Sequence, residues 1–419
     1  MRGERVRRIA ALLLVLAAGF EVVRSLTRLS GVIFTGYTQV GEVVLQGGDP
    51  YGLAINTWPP FFLFVAAGLA LVARVSLAGA LLLWQAGSVA AIWASCRLLA
   101  RLAGDPPSSP PASTSSAVLV PVLMTARLFQ EHLQHTQVNL YLLLLVLVAF
   151  DLFRRRRHAL GGLALATAVS VKAVPIVFLP YLLYKRAWRA AAWTAGLVVA
   201  LNVALPLAVF GPSRTAQHWS TWRAVAARET AEPTPHYPNQ SLLAAVKRSV
   251  TAEGGAGDPV RYAVLGWPTT RAQRLFYLLA GLGAVGLALA FRRHPPGLTG
   301  GSLGAELAVC LGAMTLVSPL AWKAHFVTLV AGYWLAWRWL SGLPPGAPGR
   351  GAAWGVWWAS FACLTLSAPM LVGERVNDAL ESLNVITVGA LLVVGLALWA
   401  ALSPLRLQPP TSSAAPSRP

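Results

Sequence analysis

Lys172 is the first residue of this 419-residue chain that invites a chemical reading, because it interrupts the apolar stretch "AVSVKAVPIVFLPYLL". An ammonium at membrane depth costs roughly 3 kcal/mol, so it either lines a cavity with a partner or snorkels along its stem to an interface. A cation beside a proline-broken helix, here Pro175, suits a phosphate. Gln137 and Asn139 open another apolar run in "HTQVNLYLLLL". In "NQSLLAAVKR", Asn239-Gln240-Ser241 reads as a glycosylation sequon or, more economically, as a helix cap, with Lys247 and Arg248 two turns on as a second anion contact. "SPLAWKAHF" supplies Trp322, Lys323 and His325 at a membrane boundary. "LQGGDPYGLAINTWPP" carries Asp49, Tyr51 and Trp58. Glycine and Asp-Pro form turns and Trp58 suits an interface, while Asp49 is a carboxylate able to take a proton.

The elements holding these residues follow from composition. Apolar residues make up 56% of the chain and charged ones 12%, and the apolar residues come in runs. Such a chain is an integral membrane protein. Helices satisfy their own backbone hydrogen bonds in lipid, and a barrel would show short alternating segments, so the fold class is all-α: a polytopic transmembrane helical bundle. The net charge of +19, from 34 basic and 15 acidic residues, is strung along loop ends. That distribution points to membrane topology and away from nucleic acid.

The basic "MRGERVRR" before the run Ile9 to Phe20 predicts a retained first span with its N-terminus inside. Residues 24–60 then form a polar outer segment. Further apolar runs fall at Phe61 to Ala73, Gly79 to Cys96, Ala117 to Phe129, Val138 to Phe153, Leu160 to Val171 and Pro175 to Tyr184. Several are shorter than the roughly 20 residues a crossing needs, which predicts broken or re-entrant helices lining a cavity. Later runs are Ala190 to Phe210, Leu275 to Phe291, Ser302 to Val317, Phe326 to Leu340, Ala353 to Leu371 and Val385 to Leu402. Both termini inside requires an even number of crossings, about 12. Residues 1–403 thus form one membrane domain with outer loops 24–60 and 211–274, and 404–419 a disordered cytoplasmic tail. The stretch 104–116 is a Pro/Ser-rich linker.

Other chemistry finds little support. Cys96, Cys310 and Cys363 lie apart within apolar runs and read as small core residues. "EHLQH", with Glu131, His132 and His135, lacks the familiar zinc-protease arrangement, so no metal is expected. No Gly-rich phosphate loop follows a strand and no cytoplasmic segment is large enough for a nucleotide sugar. A donor should therefore arrive in the membrane.

Four segments, "VVLQGGDPYGLAINTWPPFF", "QVNLYLLLLVLVAFDLFRRRRHALGGLALATAVSVKAVPIVFLPYLLYKRAWR", "NQSLLAAVKR" and "SPLAWKAHF", occur in an order that resembles glycosyltransferase family 87. These are the GT-C type, polyprenyl-phosphate-mannose-dependent mannosyltransferases of bacteria. The resemblance runs from about Tyr37 to Tyr333. It implies inverting transfer of a hexose from a polyprenyl phosphate to a lipid or glycan acceptor on the outer face. The family's usual base, an aspartate four residues before the tyrosine matched to Tyr37, is replaced by Ile33. Three possibilities stay open: a different register, Asp49 or Glu42 as the base, or lost catalysis.

The expectation is a GT-C-like glycosyltransferase of the cell membrane, two outer loops roofing a cavity at the membrane surface. Lys172, with Lys247, Arg248 or His325, would hold the lipid phosphate. Tyr51, Trp58, Gln137, Asn139, Asn239, Gln240 and Trp322 would line the substrate cavity. The partners are the polyprenyl-phosphate sugar donor, a lipid or glycan acceptor and membrane lipids; no cofactor is expected. The alternatives are a transporter or flippase of lipid-linked sugar and a catalytically silent lipid-binding relative.

Overall fold

The computed structural model describes residues 2–28, 33–102, 116–231, 236–298 and 302–403. The expected tail and, Ser116 apart, the expected linker lie outside these residues. Among the described residues the fold is helical, with one isolated bridge between Thr251 and Trp267. This is what an apolar chain must do where water cannot satisfy its backbone.

The first half comprises α1 (Arg2–Thr27), α2 (Ile33–Leu45), α3 (Phe62–Val75), α4 (Leu77–Leu102), α5 (Ser116–Met124), α6 (Ala126–Gln134), α7 (Asn139–Arg154), α8 (His158–Val171) and α9 (Phe178–Tyr184). The second comprises α10 (Trp188–Val199), α11 (Leu205–Ala231), α12 (Leu242–Val250), α13 (Thr269–Phe291), α14 (Leu303–Val317), α15 (Leu329–Gly342), α16 (Arg350–Phe361), α17 (Pro369–Val372), α18 (Glu374–Ser382) and α19 (Val385–Leu402). Five helical stretches are long and apolar enough to cross a membrane, or six with the bent pair α6 and α7 counted as one. Four shorter apolar helices accompany them. On α1 and α13 large apolar side chains such as Leu13, Leu16, Phe20, Leu278, Leu282 and Val285 face outward, as a lipid-facing helix requires.

Three boundaries differ from the hydropathy reading. The segment 24–60 is not an irregular loop: α1 runs through Thr27, and α2 forms because Phe34, Tyr37 and Val40 make a buried stripe at helical spacing. Gly41 lets this helix lie against α3, since a Cβ there would stand 2.0 Å from the Ala66 carbonyl oxygen. The run Ala117 to Phe129 is two helices, parted at Thr125. The run that ends at Phe210 continues to Ala231 through a kink at Gly211, whose φ of 75° a glycine adopts without steric cost.

The bundle has two chemically distinct ends. α7 starts at Asn139 and ends at Arg154, about 24 Å away at the helical rise. At the Arg154 end, that residue donates to the Arg101 carbonyl (2.6 Å), Lys185 donates to the Pro295 carbonyl (2.8 Å), and His294 Nε2 lies 3.2 Å from the Ala401 carbonyl. Buried Glu306 accepts from Tyr181 and Lys185 there. At the Asn139 end, Gln85 donates to Ser25 and to the Leu133 carbonyl, and Gln240 donates to the Glu381 carbonyl. The polar residues read from the sequence collect mainly at this second end.

Candidate functional site

Three interruptions of helix build the site. The first is the elbow between α6 and α7, bent by 117°. Its turn closes through His135 N to the Glu131 carbonyl (3.1 Å) and Gln137 N to the His132 carbonyl (3.2 Å), with Thr136 at φ 51°. Asn139 therefore begins α7 beside the end of α6. The second is Lys172, extended at φ −150° and ψ 122°, which stops α8 before the 3-10 turn Val174–Val177. Pro175 inside that turn has no N–H to continue the ladder. The third is the 3-10 turn Lys323–Thr328 between α14 and α15.

These breaks bring Asn139, Lys172 and His325 together. Lys172 Nζ donates to Asn139 Oδ1 (3.1 Å) and lies 3.0 Å from His325 Nε2. Asn139 Nδ2 in turn donates to the Ala324 carbonyl (3.2 Å). Together with Thr315, Ser318 and Thr328 they line a cavity of about 20 Å³, room for one water-sized group. Among the described residues no carboxylate pairs with Lys172; its bonds go to Asn139 and His325.

The protonation chemistry of the pair follows from one backbone bond. Trp322 N donates to His325 Nδ1 (3.1 Å). A backbone N–H can only donate, so Nδ1 is bare and a neutral imidazole carries its hydrogen on Nε2, facing Lys172. An ammonium and an Nε2–H are both donors. Their contact is satisfied either by a neutral Lys172 accepting from the ring or by an anionic oxygen accepting from both.

The residues expected around the cavity divide by what they hold. Asn239 and Gln240 brace the turn that delivers His325: Asn239 Nδ2 donates to the Pro319 carbonyl (3.1 Å), Asn239 Oδ1 accepts from Ala321 N (3.0 Å), and Gln240 N donates to the Ala321 carbonyl (2.8 Å). Ser241 caps α12, accepting from Ala244 N (3.1 Å), as the helix-cap reading predicts. Gln137 is buried in the elbow, and Trp322 is exposed beside the turn. Tyr51 and Trp58 sit elsewhere: the Tyr51 hydroxyl donates to the Trp58 carbonyl (3.0 Å), and Trp58 packs on Tyr37 and Phe62. Burial raises the Tyr51 phenol above its ordinary range, which disfavours the phenolate.

Arg248, expected at the phosphate, belongs to another buried network. It donates through Nε to Asn384 Oδ1 (2.9 Å), through Nη2 to the Asn239 carbonyl (2.8 Å) and through Nη1 to the His236 carbonyl (3.3 Å). Helical spacing put it two turns beyond the cap but could not say which face turns inward. Lys247 is buried beside it in α12. Neither is among the residues that line the Lys172 cavity.

The two candidate bases are also engaged away from that cavity. Arg74 donates to Glu42 at 2.9 and 2.7 Å and holds its carboxyl below the ordinary range. Asp49 is exposed and caps the turn Pro50–Gly52, accepting from Tyr51 N (3.0 Å). Ile33 opens α2 and packs against the core.

Sequence reading named Lys323 and Glu131 separately but passed over Arg127 and Glu381, which join them in one polar group. Arg127 and Lys323 both bind Glu381 Oε1 (2.9 and 2.8 Å), and Lys323 also lies 3.4 Å from Glu131 Oε1. His132, one residue from Glu131, is fully buried with neither ring nitrogen hydrogen-bonded. The available signal was "EHLQH", a polar helix end against an apolar span, which points as well to a packed elbow as to a metal.

The sequence profile of glycosyltransferase family 87 matches residues 56–319 of the chain. No curated protein matches it.

Proposed function

Because the chain belongs to glycosyltransferase family 87, and is thus a membrane glycosyltransferase by family, we propose that it transfers a hexose, mannose in the first instance, from a polyprenyl phosphate to a lipid or glycan acceptor. Transfer takes place on the extracytoplasmic face with inversion at the anomeric carbon.

The carrying observation is the Lys172–His325 pair, 3.0 Å apart in a cavity that Asn139 also lines and both of them donors when Lys172 is charged. A phosphoryl oxygen is the group that accepts from both. As the sugar–phosphate bond breaks, charge grows on that oxygen, and donors already fixed there stabilise the transition state more than the ground state. The cavity admits a phosphate oxygen and not a hexose, so the sugar lies outside it.

A GT-C-like arrangement with about 12 crossings is part of the same reading; the mixture of long helices, short apolar helices and the α6–α7 elbow favours it. The basic end, with Arg101, Arg154 and Lys185, is assigned to the cytoplasm of a cell-membrane protein, which puts the Lys172 cavity toward the opposite face. Both termini then lie inside, since α1 meets the opposite end through its C-terminal part, at Glu21 and Ser25, and α19 finishes beside His294.

The test is reconstitution with a synthetic polyprenyl-phosphate mannose and a membrane lipid extract. Mannose attached to an acceptor with inverted configuration is the expected result. Release or movement of the intact donor without transfer would favour a flippase or a silent relative.

A further inference from the structure

The transferase reading needs a carboxylate to take the acceptor hydroxyl's proton, and the structure provides one outside the segment where the sequence looked for it. Glu131 stands in the last turn of the short arm of the elbow whose long arm begins with Asn139, and the turn is closed by the Glu131 and His132 carbonyls. Its side chain lies 3.4 Å from Lys323, two residues before His325 on the same 3-10 turn. His132 beside it is fully buried, with neither ring nitrogen hydrogen-bonded. Glu131 thus lies against the turn that carries His325, outside the residues that line the Lys172 cavity.

Two carboxylates share Lys323, and their surroundings separate their roles. Glu381 is 1% exposed and carries Arg127 as well as Lys323. Glu131 is 16% exposed, so a substrate can reach it, and its second oxygen lies 3.4 Å from Nε2 of the more exposed His135.

We propose that Glu131 is the proton acceptor for glycosyl transfer, oriented by Lys323 and relayed to solvent by His135; this rests on the transferase reading above. As the acceptor oxygen forms its bond to the anomeric carbon, its proton passes to Glu131. The electron pair of the breaking sugar–oxygen bond leaves with the polyprenyl phosphate. The proton on Glu131 then passes through His135 to water, which restores the carboxylate.

The experiment compares wild type, Glu131→Gln, Glu131→Asp and Asp49→Asn, measuring mannose transfer from synthetic polyprenyl-phosphate mannose and, separately, binding of that donor. Glu131→Gln is expected to lower the transfer rate about a hundred- to ten-thousandfold with donor affinity within about twofold, the scale of a lost general base. Glu131→Asp should keep part of the rate and its pH dependence. Three results would overturn the assignment: wild-type transfer by Glu131→Gln, loss of donor binding together with transfer, or a larger rate loss in Asp49→Asn. Wild type that binds donor and never transfers brings down the transferase reading itself and the base with it.

Discussion

Lys172 Nζ and His325 Nε2 stand 3.0 Å apart although 153 positions separate them in the chain. The bond from Trp322 N to Nδ1 makes the facing imidazole nitrogen a donor, so a charged Lys172 beside it calls for an oxygen that accepts from both, and a neutral Lys172 accepts from the ring itself.

Replacing Lys172 by alanine should therefore weaken donor binding more than folding. A hydrogen bond to a charged group is worth about 1.5–3 kcal/mol, roughly ten- to 150-fold in affinity. Binding of polyprenyl-phosphate mannose to the detergent-solubilised variant checks this, with monodispersity as the folding control. Unchanged affinity would reduce Lys172 to a snorkelling residue.

Arg248→Met should show the converse pattern. It strands Asn384 Oδ1 and the Asn239 carbonyl, each left unsatisfied at a cost of about 1–3 kcal/mol if water cannot replace the guanidinium, while the His236 carbonyl keeps its bond from Asn239 N. The melting temperature should fall, and donor affinity should fall less than in Lys172→Ala. A selective loss of affinity at unchanged melting temperature would return Arg248 to the phosphate.

The Glu42–Arg74 pair makes a pH prediction whose sign is fixed. Arg74 depresses the folded pKa of Glu42, so the pair's stabilisation is complete above the unfolded value of about 4.3 and is lost as pH falls through the folded value. Wild type should melt slightly above Glu42→Gln near neutral pH, and the two should converge on acidification. A gap that widens as pH falls would contradict the pairing. The effect is small because the pair is solvent-exposed.

Orientation is open to labelling. With the native cysteines replaced, a cysteine at exposed Ala256 should react with an impermeant maleimide on intact cells, and one at exposed Gly346 should not. The reverse pattern would put the Lys172 cavity on the cytoplasmic side and remove the proposed geometry.

What the sequence determined by itself is local in its physics. Hydropathy gave a helical membrane protein, because a run of apolar residues is excluded from water whatever it packs against. The cap at Ser241 and the break after Lys172 were legible for the same reason, since capping and proline act within one turn of helix. Lys172 could be marked as needing a partner, but only packing decided that Asn139 and His325 supply it, through three helix breaks far apart in the chain. Packing likewise turned Arg248 toward Asn384, occupied Glu42 with Arg74, and set Glu131 beside Lys323. Residue type gives a carboxylate or guanidinium its charge. The helix face it occupies and the element folded against that face determine which group meets it, and no short-range pattern carries that information.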